Sequence, residues 1–574
     1  MSPLSPILTD FYANHANTYW LLTRDPVLCS TILMISARYH ILPGAGGESR
    51  NFFIHHRLWQ HCQQLVTRLI FGQDKSTSSK IRNIGTIEAL LLMSEWHPRS
   101  LHFPPEVDGW DCDLMTGTTE PRQDANQEDT SANRWLKDMI EPARRSDQMS
   151  WMLLGSSLSL AHELGIFEAG DEEPSRPSEL EEPDQMKFRR QRVQRLLYVY
   201  INQLAWRIGC VSLMPQSLNH AIIRGQATRE LSRSGDGWFT FMDSWMDLTK
   251  LAKSVSDTFF PSVAFARQQL NSGRYIDLLD HFRPLLTQWK EKYLQPQCKL
   301  LHDPIWIRSF GTYSDKHGLV LDKPFFNILF IEYHFVRVYT HSVGMQAVVE
   351  RILADGEPNL EEVRPLNIDT IDYEYIQEVI DGCCQILEKV IQLAETGALR
   401  FSPVRIFLRI TSSSIFLMKA LSLGARQAKL RETLDILEKA IQGLKSNALD
   451  DIHLSSRYAI LLDMHVSRLR RNLLVSSSKG TKHSRENTRT SPAGPSSWYD
   501  NNTTENRDMG AVDSTPMSQT MSDFTFIPSL NSMAADDWLS LPFTPSMAPF
   551  GTSTSGQIPA LEGGALDFIW NLPS

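Results

Sequence analysis

The stretch Phe188–Trp206, FRRQRVQRLLYVYINQLAW, decides the fold. Val193, Leu196, Leu197, Tyr200 and Leu204 recur at spacings of three and four, the period of a helix with one apolar side. Arg189, Arg192 and Arg195 recur every three residues on another side. A half-buried strand would alternate at every second residue, and this stretch does not, so it reads as an amphipathic helix. Similar periodic runs fall at Pro26–Tyr39, Arg50–Phe71, Ile84–Trp96, Gln148–Leu164, Phe239–Thr258, Tyr275–Tyr293, Phe325–Leu353, Tyr373–Ala394, Pro403–Leu423, Ala428–Lys445 and Ser455–Leu474. No strand–turn–strand alternation around an Asn-Gly or Asp-Gly pair competes with them. The expectation is an all-α chain: a large multi-helix regulatory domain over residues 1–474, followed by a disordered C-terminal tail.

Two acidic, turn-rich stretches interrupt the helices, near 108–133 and 168–184, the latter carrying Pro174, Pro177 and Pro183. Each has too little apolar surface to offset its conformational entropy, so both are expected to be mobile loops. After Leu474 the composition shifts to Ser, Thr, Asn, Gly and Pro, and residues 475–508 read as a disordered linker. From Met509 to Ser574 there is no Lys or Arg, and six acidic and seven aromatic residues stand among Ser, Pro and Gly.

The chain has 574 residues, 42% of them apolar and 21% charged, enough for a sizeable core. A net charge of −9 argues against the body alone acting as a general polyanion binder, since phosphate neutralisation needs clustered cations. Cys29, Cys62, Cys112, Cys210, Cys298, Cys383 and Cys384 form an odd, scattered set with no C-x-x-C pair, a pattern of a reducing compartment. The first residues lack a basic flank and long apolar run, and no stretch approaches about 18 uninterrupted apolar residues. A soluble, intracellular protein without a membrane partner is expected.

Catalytic and metal motifs fail on inspection. His162-Glu163 begins like an H-E-x-x-H zinc helix, but Ile166 stands where the second histidine must be, so a surface or capping role is expected for the pair. No phosphate-binding glycine loop or G-x-S-x-G elbow occurs. The chain is therefore not expected to be an enzyme, and no catalytic, cofactor-binding or metal residue is assigned. The basic helix residues Lys187, Arg189, Arg190, Arg192 and Arg195 follow directly on the acidic 168–184 segment, and intramolecular pairing or a solvated face is favoured over phosphate contact.

Two features, one spanning the end of the last helix and one in the tail, point to function. Arg468, Arg470 and Arg471, then Lys479, Lys482 and Arg485, have the two-block form of a bipartite nuclear-import signal, although the polar end of a last helix plus a soluble linker explains them equally well. In the tail, acids sit beside aromatic and aliphatic residues three times: Asp523 with Phe524 and Phe526; Asp536 and Asp537 with Trp538, Leu539, Leu541 and Phe543; Asp567 with Phe568 and Trp570. This is the pattern of activation segments, in which carboxylates keep aromatics solvated until a coactivator groove accepts them. The alternative is a tail that docks on its own body.

Trp151–Phe167 (WMLLGSSLSLAHELGIF), an acidic loop, then Arg189–Gly209 resemble the middle homology region of fungal zinc-cluster transcription factors, as does the opening DFYANHANTYWLLTRDPVLCSTILMISARYH. In that family a helix ending A-x-x-L-G-[IL] precedes an Arg-rich helix and a G-R-P-like turn; here Gly209 and Pro215 flank C-V-S-L-M instead. The resemblance implies a nuclear regulator or coactivator of RNA polymerase II genes. Its zinc cluster, built on C-x2-C-x6-C, has no counterpart in this sequence, so zinc is expected only with a domain upstream of Met1, and DNA contact only indirectly or through such a domain. Glu95–Ser100 (EWHPRS) resembles the nitrogen-regulating branch. Expected partners are a coactivator or the basal machinery, a DNA-bound transcription factor, and a second copy in a homodimer. A non-transcriptional helical scaffold with a self-docking tail stays open as the alternative.

Overall fold

The computed structural model describes residues 4–8, 14–73, 80–103, 131–168, 183–227, 237–261, 263–295, 323–354, 370–423, 425–483 and 524–525. In chain order the helices are α1 (Thr18–Arg24), α2 (Pro26–Tyr39), α3 (Gly47–Ile70), α4 (Ile84–Glu95), α5 (Ser131–Glu163), α6 (Pro183–Ile208), α7 (Gln216–Ala227), α8 (Gly237–Phe259), α9 (Val263–Asn271), α10 (Tyr275–Tyr293), α11 (Lys323–Ala354), α12 (Thr370–Glu395), α13 (Val404–Ser422), α14 (Gln427–Ser446) and α15 (Leu454–His483). One two-residue pairing joins them: β1 (Ala425–Arg426) lies antiparallel to β2 (Phe524–Thr525). The all-α expectation holds for the body.

Local chemistry sets the helix ends. Pro26 occupies the first turn of α2, where its missing N–H is not needed. Asn83 caps α4, its side chain accepting from Thr86 N at 2.9 Å. At the end of α5, Gly165 N donates to His162 O at 3.0 Å and Ile166 N to Ala161 O at 2.9 Å, the paired bonds of a Schellman cap. Gly165 takes φ 60°, which favours glycine, and Ile166 is buried behind it. The A-x-x-L-G-I pattern of the family resemblance is thus a helix stop.

Two expected boundaries move. The last helix, expected to end at Leu474, continues to His483, into the stretch assigned to the linker. Ser131 opens α5 and Pro183 opens α6, so helices begin inside both expected loops; residues 104–130 and 169–182 lie outside the described residues. The short helices α7 and α9 were not expected.

Packing runs largely between chain neighbours. The helix α2 lies against α3 and α4, α4 against α5 and α6, and α6 against α8; further on, α11 packs on α12, α12 on α13 and α14, and α14 on α15. Contacts of α11 with α8, α10 and α13 help close these into one body, and a single apolar cluster runs from Leu4 to Leu469. At the α11–α12 interface Gly344 meets the Tyr375 ring so closely that a Cβ there would stand 2.4 Å from Cδ2. Gly344→Val should therefore lower stability by about 1–3 kcal/mol, the range for overpacking, read as a lower urea midpoint.

Residues 4–8 thread the interior instead of lying on it. Leu4 and Ile7 are buried. Their backbone carbonyls are held by arginines from distant helices, Leu4 O by Arg405 and Ile7 O by Arg192 at 2.8 Å, while Trp238 donates to Pro6 O at 2.9 Å.

Candidate functional site

The helix α4 reads IGTIEALLLMSE, and its residues are buried apart from the partly buried Ser94. Two carboxylates, Glu88 and Glu95, sit seven residues apart on this otherwise apolar helix and are 0% and 2% exposed. A carboxylate in such surroundings stays charged only with a close cation and hydrogen bonds. Both have them. Arg189 on α6 donates to Glu88 through Nε at 3.2 Å and Nη2 at 2.6 Å, and its Nη2 also reaches Asp25 Oδ2 at 2.8 Å. Arg405 on α13 donates to Glu95 Oε1 at 2.8 Å, and the Ser5 hydroxyl donates to Oε2. One helical turn along α13, Arg409 pairs with the buried Glu332 of α11 at 3.0 Å.

These pairs form a charged seam through the middle of the body. Burial pushes the Asp25 carboxyl up, and the neighbouring Arg189 guanidinium opposes that shift. Glu95 is likewise raised by burial against the pull of Arg405. Aromatic faces cover the cations: Arg189 lies over Trp20 at 5.1 Å, Arg405 over Trp245 at 4.9 Å and Arg409 over Phe335 at 4.0 Å. Gly85 leaves the space that the Asp25 carboxylate fills, since a Cβ would stand 2.3 Å from Oδ1.

The arginine stripe pairs within the body. Arg189, Arg192 and Arg195 are buried; among the described residues Asp25 and Glu88 meet Arg189 and Asp243 meets Arg195, while residues 169–182 of the acidic segment lie outside the described residues. Arg192 stacks on Trp238 at 4.9 Å and Arg195 on Phe239 at 4.8 Å. These three arginines are therefore withdrawn from any phosphate-binding surface. Arg190 alone of the arginines in this run is exposed and donates to Gly165 O at 3.0 Å. His162 is exposed and rests against Phe167, with Glu163 paired to Arg82, as a helix end would be.

Of the assigned functional residues the structure describes few. In the tail, Phe524 alone falls within the described residues, paired through β2 with Arg426 of β1; Asp523, Phe526, Asp536, Asp537, Trp538, Leu539, Leu541, Phe543, Asp567, Phe568 and Trp570 lie outside them. In the basic cluster, Arg470 is ion-paired with Glu438 of α14 at 2.6 Å. Arg468, Arg471, Lys479 and Lys482 fall on α15, and Arg485 lies outside the described residues.

The described cysteines, Cys29, Cys62, Cys210, Cys383 and Cys384, are free, and no group of three or more His, Cys, Asp or Glu among the described residues is placed to hold a metal. The residues do not fit a zinc cluster, and no step is derived through zinc. No helix among the described residues is long and apolar enough to cross a membrane.

Along its whole length the chain is 69% identical to Transcription factor hmgR of Aspergillus fumigatus, over 580 aligned residues that span 74% of that protein. The chain belongs to the family of fungal transcription factors that includes hmgR. Membership in such a family makes it a regulator of transcription and not an enzyme. No protein-family model and no solved structure matches the chain.

Proposed function

We propose that the chain is a nuclear transcriptional regulator of RNA polymerase II genes, in which the helical body is a regulatory unit of the middle-homology type and residues 509–574 are an activation segment. The observation that carries this reading is the 69% identity to a protein named a transcription factor. The three acid–aromatic repeats of the tail support it, because aromatics held in solution by adjacent carboxylates suit a coactivator groove. Contact with DNA is assigned to a DNA-bound partner, a second copy included, or to residues outside this sequence, and zinc enters only with such residues. The Arg468–Arg485 cluster is the proposed import signal. Control of nitrogen or nutrient genes rests on the resemblance of Glu95–Ser100 alone, a stretch the body also uses for packing, with Trp96 donating to Phe401 O at 3.3 Å.

A fusion of residues 509–574 to a heterologous DNA-binding domain should activate a reporter well above the DNA-binding domain alone. A silent fusion would remove the tail from this account. One observation supports a second role for the same segment: the backbone of β2 (Phe524–Thr525) pairs antiparallel with β1 in the α13–α14 link. A self-docking tail, the alternative reading, would make such a pairing, and it is compatible with activation if the docked repeat is the reserve form.

A further inference from the structure

Where the end of α2 meets the Glu95–Ser100 corner, α5 and the α14–α15 connection, the fold gathers more cations than carboxylates. Arg38 donates through Nη1 to His97 O at 2.8 Å and stands 3.9 Å from Asp450 Oδ1 through Nη2. Its side chain is 8% exposed, and its Nε is buried without a hydrogen-bond partner. Arg99 donates to Asp450 Oδ2 at 3.0 Å, and its Nε is also buried without a partner. Arg145 on α5 and Arg400, in the 3-10 turn before α13, each bury an unpartnered Nε and have no carboxylate partner among the described residues. Two imidazoles add to the set: His102 and the 3%-exposed His453 each turn a buried Nδ1 to no partner. His453 is fixed edge-on between Tyr39 and Phe407, ring centroids 6.2 and 5.3 Å away.

Contacts of adjacent residues place these groups together: Ser146, next to Arg145, bonds the His97 ring at 2.8 Å, and Phe401, next to Arg400, packs on Tyr39 with ring centroids 5.9 Å apart. Burial chiefly lowers His55 to about 4 and His97, His102 and His453 to about 3, and the charge of Arg38 pushes each of the four further down. Arg145 and Arg457 bear on His102 in the same way, and Arg400 on His453. The imidazoles are therefore neutral at physiological pH, and the arginines carry the charge. Asp450 is the carboxylate that answers Arg38 and Arg99, while Asp147 nearby on α5 is engaged by Arg207 at 2.6 Å.

We propose that this cluster is a binding site for a small oxyanion, the carboxylate or phosphate group of a metabolite, held by Arg38, Arg99, Arg145 and Arg400 with His102 and His453 donating through Nδ1. Guanidinium forks match the planar or tetrahedral oxygens of such groups, and charge-assisted bonds are the strong ones. An anion here would supply acceptors to donors that the fold leaves unanswered. It would also strengthen a tie between α2 and the α14–α15 connection, segments roughly 400 residues apart in the chain. Binding at this cluster stands or falls independently of whether the tail activates transcription.

The test uses the full chain, titrated with inorganic phosphate and, separately, with citrate, against sodium chloride at matched ionic strength, with the thermal unfolding midpoint as readout. A saturable rise with one oxyanion and none with chloride is expected; the phosphate arm reports a phosphate group and the citrate arm a carboxylate. R145Q and R400Q, at half-buried positions, should each weaken the apparent affinity by about tenfold, the equivalent of one charge-assisted bond, with little change in the unliganded midpoint. D450N removes the competing carboxylate and should tighten binding; a cluster that served only packing would be destabilised by it with no gain in anion response. The proposal is overturned if neither anion does more than chloride, or if R145Q and R400Q leave the response intact, and these two variants decide the matter should D450N fail to fold.

Discussion

Arg189→Met should cost the body about 3–5 kcal/mol, the largest effect expected of any single substitution here. The loss comes less from the ion pair itself than from what is left behind. Glu88, with no exposed surface, and Asp25, nearly as deep, would face each other across the vacated space without the Arg189 guanidinium between them. Neither can reach water without moving α4 or the α1–α2 corner. Thermal or urea unfolding of the variant against the parent measures the effect, and the companion variant separates the two explanations. If all three groups become apolar residues of similar volume, as in Arg189→Met/Glu88→Leu/Asp25→Leu, most of the stability should return, because the desolvation cost of three charges disappears with the charges. A triple variant as weak as the single one would mean that the seam contributes net stability through its geometry.

The second large effect falls on the tail. Trp538→Ala/Phe543→Ala in the 509–574 fusion should abolish most reporter activity, since truncating a buried aromatic anchor costs on the order of 2 kcal/mol at interface hot spots. Asp536→Asn/Asp537→Asn removes charge that mainly steers encounter and keeps the aromatics solvated, so its loss should be partial and should shrink as salt rises in a binding assay with the captured coactivator. The order of the two losses is the decisive observation. Full activity in the aromatic double variant, with none in the aspartate variant, would mean that the tail works through charge alone.

The helices were legible because their signal is local. Pro26–Tyr39 and Tyr275–Tyr293 fall where the apolar period begins and ends, and the cap at Gly165 is written in six consecutive residues. The arginine partners were not legible, because Arg189 reaches Glu88 and Asp25 across 101 and 164 positions and no short-range pattern encodes such a pairing. One clue was present: a helix as apolar as IGTIEALLLMSE that still carries two glutamates must supply each with a buried cation. The short helix α9 escaped notice because its 9 residues offer too few turns for a period to emerge. The Phe524–Thr525 pairing, two residues long, offers no alternation to detect.

The thread formed by residues 4–8 has a consequence for how the protein is made. Leu4 and Arg405, joined in the finished body, are separated by 401 positions in the chain. At a synthesis rate of about 5–20 residues per second, Leu4 emerges roughly 20–80 s before the guanidinium that holds its carbonyl exists. During that interval residues 4–8 have no α13 to bind, and their apolar side chains are open to chaperones. Residues 4–8 are then made long before they can settle, so maturation of this regulator is gated by translation of α13, and a ribosome stalled before it would leave a body unable to close.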